Sequence, residues 1–165
     1  MTKTRKLSHF DESGASRMVD VGPKQPTRRT ARARAAIKMK PDVLRLVQDR
    51  KIQKGDVFEV ARLAGIMAAK KTSSLIPLCH PLPIENVKID FRSSDDTIEI
   101  LAEVRVTAKT GVEMEALTAA AVAALTVYDM CKSAQKDMTI TAIELLEKTG
   151  GKSGTYKKQK TMERQ

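Results

Sequence analysis

Three charged side chains, Asp129, Lys132 and Lys54, are candidates for proton transfer or charge stabilisation. Asp129 and Lys132 are i, i+3 neighbours, a spacing that also suits an ordinary ion pair on a helix surface. The helix C-terminus and the nearby Asp129 carboxylate both favour the protonated form of Lys132. We therefore assign its ammonium group to orienting phosphate or stabilising negative charge. Lys54 precedes Asp56, a predicted helix cap, where a cation is mildly disfavoured. Its amine should therefore release a proton more readily and serve as a donor or base near neutrality.

Two further carboxylates, Glu113 and Glu115, open the same long helical segment. Their interaction with the helix dipole, roughly 0.3–1 kcal/mol each, explains both without any function. Alternatively, they accept hydrogen bonds from the amino groups of a purine-like ring.

Glu115 and Asp129 would lie about 21 Å apart along the helix axis and within about 40° around it. One helix cannot bring both to one reacting carbon, so they contact opposite ends of a long ligand or act across a subunit interface, which we favour.

A proline-rich loop at residues 75–83 holds the third candidate group. His80 lies between Pro77 and Pro81, which restrict the backbone and suit a positioned acid, base or ligand-binding group. A structural turn with an incidental histidine explains the pattern equally well. The spacing of Cys79 and His80 to the remaining cysteine and histidine matches no zinc pattern, and adjacent residues rarely form a nucleophilic pair.

The segments that position these groups follow the periodicities of strands and amphipathic helices. Their order predicts an α+β domain with a ferredoxin-like fold, a four-stranded antiparallel sheet with helices packed on one face. The predicted elements are a strand at 31–39, a short helix from Pro41, a second helix capped by Asp56, a hairpin at 87–92 and 98–106, a helix at 112–134 and a strand at 138–146.

Composition limits the kind of protein that these elements can build. The 165 residues fit one domain, predicted as a mobile arm at 1–28, a catalytic domain at 29–150 and a Gly-rich, then basic, tail at 151–165. No uninterrupted apolar run approaches the roughly 20 residues of a membrane span, and the polar, basic first 30 residues do not form a signal peptide. We therefore expect a cytoplasmic protein without membrane contact, whose Cys79 and Cys131 are free thiols.

The formal charge of +10 is unevenly distributed along the chain. Residues 1–54 carry 15 basic and 5 acidic side chains, residues 55–147 carry 9 and 14, and residues 148–165 carry 6 and 1. Basic ends that fold over an acidic centre suit binding of a polyphosphorylated small molecule.

Residues 150–154 resemble part of a P-loop, but Leu146 stands where that motif needs a glycine. We therefore reject a P-loop and keep only the hypothesis of a mobile, basic tail that contacts phosphate.

Several longer motifs together resemble the cyclic pyranopterin monophosphate synthase family, the C protein of molybdenum cofactor biosynthesis. The resemblance covers about residues 7–156, and the combined motifs are highly specific. The matching stretches are MVDV at 18–21, KGDVF at 54–58, IPLCHP at 76–81, TGVEMEALT at 110–118, YDMCK at 128–132, QKDM at 135–138 and GGKSG at 150–154.

The resemblance implies conversion of 3′,8-cyclo-7,8-dihydroGTP to cyclic pyranopterin monophosphate, with release of pyrophosphate and no redox change. It implies a lyase that forms a homohexamer, a trimer of dimers, with the active site at the dimer interface. No cofactor is required, although magnesium could help to neutralise the triphosphate. The implied catalytic residues are Asp129, Lys54 and Lys132, and the implied substrate-binding residues are Leu78, Cys79, His80, Glu113, Met114 and Glu115, with Arg29, Lys148 and Lys152 as weaker candidates for the triphosphate.

Two other function classes compete with this interpretation. A pI near 9.8 suggests a nucleic-acid-binding module, but the acidic centre and the three Phe, two Tyr and absent Trp offer little for base stacking. A catalytically inert α+β domain would bind the cyclised nucleotide without releasing pyrophosphate. We expect no nucleic-acid partner.

Overall fold

The computed structural model describes residues 13–159, so His9 and the outer parts of the predicted arm and tail lie outside the described residues. The chain forms an α+β domain whose sheet is open and antiparallel. Its elements are β1 (Thr27–Lys38), α1 (Pro41–Gln48), α2 (Val57–Lys70), α3 (Thr72–Leu75), β2 (Asn86–Ser94), β3 (Thr97–Ala108), α4 (Glu113–Cys131), β4 (Thr139–Thr149) and β5 (Tyr156–Lys157).

The sheet has the strand order β2-β3-β1-β4-β5, with β1 at its centre. Alternate residues of β1, Ala31, Ala33 and Ala35, are buried against the helices. The intervening arginines lie on the opposite face, where Arg34 contacts Glu99 at 2.9 Å. Alternation with a period of two therefore separates an apolar core from a face of paired charges.

The hydrophobic helix α4 packs across the core and against α2. Ala116, Ala120 and Val127 are fully buried, and small side chains let the backbones approach closely. A Cβ added at Gly65 of α2 would lie 2.9 Å from the carbonyl oxygen of Ala119, so only glycine fits this crossing without displacement. Among the described residues, α4 alone is long and apolar enough to cross a membrane, but half of its most apolar window is buried inside the fold.

The prediction of four strands is wrong, because β5 pairs with the outer edge of β4. The chain reverses after β4 at Gly150 and Gly151, whose φ values of 90° and 72° favour glycine. β5 has only two residues, too few to produce a detectable alternation. The structure also adds α3, places the start of β1 at Thr27 inside the predicted arm and extends β4 to Thr149.

Candidate active site

Three charged side chains meet at the C-terminal end of α4. They are Lys54, Asp129 and Lys132, here called the Asp129 cluster. Lys54 Nζ donates to Asp129 Oδ2 at 3.0 Å and to its backbone carbonyl at 2.8 Å. Lys132 Nζ lies 2.6 Å from Asp129 Oδ1. Hydrogen bonds from both ammonium groups, above all from Lys132, lower the pKa of Asp129, and this carboxylate in turn raises the pKa of Lys132. The cluster therefore presents an ionised carboxylate between two cations.

Local structure explains how Lys54 reaches a residue 75 positions away. Gly55 adopts a φ of 106°, and Asp56 then caps α2 by accepting from the backbone N–H groups of Phe58 and Glu59. The predicted cap is thus confirmed. At the other side of the cluster, Tyr128 donates its hydroxyl to the carbonyl of Lys136 at 2.6 Å, which folds the segment after α4 back onto the helix. Lys54 thus bonds both the side-chain carboxylate and the backbone carbonyl oxygen of Asp129.

A cavity of about 970 Å³ lies at the N-terminal end of α4. Its walls come from the N-terminal segment, the proline-rich loop, the turn before α4 and the Gly-rich segment after β4. We call it the α4 cavity. Its lining residues are Val19, Val21, Pro23, Lys24, Gln25, Thr27, Arg29, Leu78, Cys79, His80, Leu82, Lys109, Thr110, Gly111, Glu113, Met114, Glu115, Gly151, Lys152 and Ser153.

Carboxylates and cations share this cavity. Glu115 is only 4% exposed, and its burial, followed by the nearby Glu113 charge, raises its pKa. Arg29 donates to the carbonyl oxygens of Ala108 and Lys109 at 2.9 and 3.0 Å, which fixes its guanidinium at the cavity wall. The cavity can therefore offer hydrogen-bond acceptors to amino groups and positive charge to phosphates.

Lys148 and Lys152 lie on either side of the backbone reversal at Gly150 and Gly151, beside the cavity. Lys148 lies beside the cavity rather than in its lining, 3.9 Å from Glu113 and hydrogen-bonded to Ser153. A Cβ added at Gly151 would lie 2.9 Å from the guanidinium carbon of Arg29. The glycines of this segment therefore let the backbone approach Arg29 and carry Lys152 to the cavity.

The N-terminal segment covers the cavity through two polar contacts. A ring nitrogen of His80 lies 3.0 Å from the carbonyl oxygen of Val19, and Lys109 Nζ donates to the carbonyl of Gly22 at 2.7 Å. Cys79 is partly buried beside His80, and desolvation, followed by the charge of Glu115, raises the pKa of its thiol. A thiol with a raised pKa suits packing or hydrogen bonding better than nucleophilic attack.

The structure thus brings the predicted site residues together in two groups rather than one. Eight of the nine predicted substrate-binding residues line the α4 cavity, and Lys148 adjoins it. The three predicted catalytic residues form the Asp129 cluster. The two groups occupy opposite ends of α4, so about 14 helical residues, or roughly 21 Å, separate them within one chain.

Sequence reasoning missed Lys24 and Lys109, which line the cavity. Lys109 immediately precedes the 110–118 motif, and Lys24 follows the 18–21 motif. Their closeness in sequence to these motifs could have identified both lysines as candidate site residues. Within residues 13–159, no three His, Cys, Asp or Glu side chains gather as metal ligands.

Comparison with known proteins identifies the family to which this arrangement belongs. Residues 18–151 match the family model described as the MoaC family. The chain is 59% identical over 152 residues to the cyclic pyranopterin monophosphate synthase of Heliobacterium modesticaldum, with 91% of this chain and 96% of the relative covered. Proteins of the same name from Thermomicrobium roseum and Pelotomaculum thermopropionicum are 55% and 54% identical, with 93% and 92% of this chain and 93% and 91% of the relatives covered. The chain belongs to the MoaC family.

Proposed function

We propose that this chain is a cyclic pyranopterin monophosphate synthase, which converts 3′,8-cyclo-7,8-dihydroGTP to cyclic pyranopterin monophosphate and pyrophosphate. The observation that carries the proposal is its 59% identity to a protein of that name across almost the full length of both chains. The paired carboxylates and cations of the α4 cavity support it, because a cyclised guanine nucleotide carries both amino groups and phosphates.

In this proposal the α4 cavity binds the substrate. Glu113 and Glu115 accept hydrogen bonds from the ring amino groups, and the desolvated surroundings of Glu115 strengthen such bonds. Arg29 and Lys152 contact the triphosphate, and Lys148 supports this end from its position beside Glu113. Leu78, Cys79, His80 and Met114 shape the remaining wall.

The Asp129 cluster supplies the chemistry. The ionised Asp129 accepts a proton from the substrate, Lys132 stabilises developing negative charge, and Lys54, which its hydrogen bond to Asp129 holds in place, donates a proton to the substrate. Ring opening, pterin closure and displacement of pyrophosphate by a ribose hydroxyl need proton transfers and no redox step. We therefore propose a phosphorus–oxygen lyase, which needs no cofactor beyond any magnesium that accompanies the triphosphate.

One catalytic centre requires both residue groups, and we propose that two subunits supply them. The roughly 21 Å between the groups within a chain exceeds the reach of side chains around one reacting carbon. A dimer that places one chain's Asp129 cluster at its partner's α4 cavity removes this conflict, and three such dimers form the proposed homohexamer. The strand order β2-β3-β1-β4 within a βαββαβ sequence supports a ferredoxin-like fold to which β5 is added. We propose a cytoplasmic location.

The test uses purified chain and 3′,8-cyclo-7,8-dihydroGTP, with pyrophosphate and pterin product measured together. Wild type should release both in equal amounts, and Asp129→Asn should lose activity at least about 100-fold, the usual scale for a catalytic acid or base. Asp96→Asn is the matched control, because Asp96 also pairs with a lysine, Lys38 at 2.9 Å, but lies in the β2–β3 turn. Substrate binding without any product from the wild type would instead indicate the inert binding domain.

A further inference from the structure

Residues 19–25, here called the N-terminal cover, lie across the α4 cavity just before β1 and belong to no helix or strand. Five of these residues line the cavity, namely Val19, Val21, Pro23, Lys24 and Gln25. Two turns shape the cover. The backbone N–H of Gly22 donates to the Asp20 carboxylate at 2.8 Å, and that of Lys24 donates to the carbonyl of Val21 at 3.1 Å. The cover is therefore ordered within itself, and contacts from other segments set its place over the cavity.

Lys109 makes one of these contacts, with a residue 87 positions away in the sequence. Its Nζ donates to the carbonyl oxygen of Gly22, in the middle of the cover, at 2.7 Å. The backbone of Lys109 is itself fixed, because Arg29 donates to its carbonyl oxygen at 3.0 Å. His80 contacts the carbonyl oxygen of Val19, the first residue of the cover, at 3.0 Å. The cover is thus attached at its beginning and at its centre.

The position of the cover decides whether Lys24 reaches the α4 cavity. Lys24 follows Gly22 by two residues, and it lines the cavity together with Arg29, Lys109 and Lys152. Strand β1 holds Arg29 in place, whereas Lys24 depends on the docking of the cover. An undocked cover would remove one cation from the cavity wall and weaken the attraction of this wall for phosphates.

We propose that Lys109 is a positioning residue, which docks the N-terminal cover so that Lys24 can contact the phosphates of a bound ligand. The inference rests on the proposed function for one point, that the ligand of the α4 cavity carries a triphosphate. Because Lys109 acts through the cover, its removal weakens phosphate binding only by the amount that Lys24 contributes. A lysine that bonded phosphate by itself would contribute independently of Lys24.

A double-mutant cycle with inorganic triphosphate, measured by calorimetry on the full chain, tests this dependence. Lys24→Met and Lys109→Met should each weaken binding roughly fivefold, the effect of losing one charge-assisted contact. The double variant should bind at most about twofold more weakly than Lys24→Met alone, whereas independent contributions would multiply to about 25-fold relative to wild type. Lys109→Arg keeps a cationic donor and should stay within about twofold of wild type. Lys88→Met is the matched control, because Lys88 pairs with Asp90 at 2.8 Å on β2 and should leave binding unchanged.

Hydrogen exchange measures the docking of the cover without any ligand. In Lys109→Met the backbone amides of residues 19–25 should exchange at least about threefold faster than in wild type, because one bond to the cover is lost. The amides of α4 should exchange at the wild-type rate, which shows that the variant is folded. Lys109→Arg should restore slow exchange of the cover, and Lys88→Met should leave it unchanged.

Three results would overturn the proposal. They are an unchanged exchange rate of the cover in folded Lys109→Met, effects of the two lysines that multiply, and a wild type that does not bind triphosphate. Wild-type turnover of the cyclised nucleotide separates this failure from that of the proposed function. An active enzyme in which the two effects multiply contradicts only the positioning role, and a cycle without multiplication in a protein without turnover contradicts only the proposed activity.

Discussion

Mixing two inactive variants should restore activity if each active site takes residues from two chains. Glu115→Ala removes a buried carboxylate of the α4 cavity, and Asp129→Asn removes the central charge of the Asp129 cluster. Each variant alone assembles dimers in which both sites lack one group. In a mixed dimer, however, one site receives both defects and the other receives neither.

The recovered activity follows from counting sites. Random assembly at equal amounts makes half of the dimers mixed, and one of the two sites in each is intact, so total activity should reach roughly one quarter of wild type. Co-expression with two affinity tags and isolation of the mixed dimer should raise this value to about one half. The assay is pyrophosphate release per mole of protein, with each variant alone as the baseline.

The activity of the mixed dimer can also refute a site shared between two chains. If the dual-tagged mixed dimer is folded and its activity stays at the mean of the two single variants, no active site combines the two chains. The Asp129 cluster and the α4 cavity would then have separate roles, and the shared centre would have to be abandoned.

Three further predictions concern stability and pH. Gly65→Ala should lower the free energy of unfolding by about 1–3 kcal/mol, because its Cβ meets the Ala119 carbonyl, and an unchanged urea midpoint would contradict this packing. Asp56→Ala should cost about 1 kcal/mol through loss of the α2 cap, and equal midpoints for Asp56→Ala and wild type would show that the cap is dispensable. Burial raises the folded-state pKa of Glu115, so its stabilising contribution is present in acid and is lost as pH rises through that pKa. The thermal unfolding midpoint of Glu115→Gln should therefore fall less between acidic and neutral pH than that of wild type. Parallel curves of midpoint against pH would refute a raised pKa of Glu115.

Features encoded by neighbouring residues were predictable from the sequence. Asp56 caps its helix because a short acidic side chain can reach the N–H groups two and three residues ahead. Asp129 and Lys132 are in direct contact, as their i, i+3 spacing predicts. The length of α4 sets the distance between the two residue groups at its ends. Alternation also located most of β1 and β3, which were predicted at 31–39 and 98–106.

Features made by residues distant in sequence were not predictable from local patterns. The bond between Lys54 and Asp129 spans 75 positions, and family resemblance rather than spacing linked these residues. The α4 cavity is lined in part by Lys24 and Lys109, which come from segments that no periodicity connects. β5 is too short to carry a pattern, and its pairing depends on the backbone reversal at Gly150 and Gly151.

The most direct measurement is a crystal structure of Asp129→Asn with 3′,8-cyclo-7,8-dihydroGTP bound. We predict that the ring contacts Glu113 and Glu115 of one chain while Lys54 and Lys132 of the other chain approach the reacting atoms. A substrate whose contacts all come from a single chain, with the second chain's Lys54 and Lys132 remote from it, would contradict a catalytic centre assembled from two subunits.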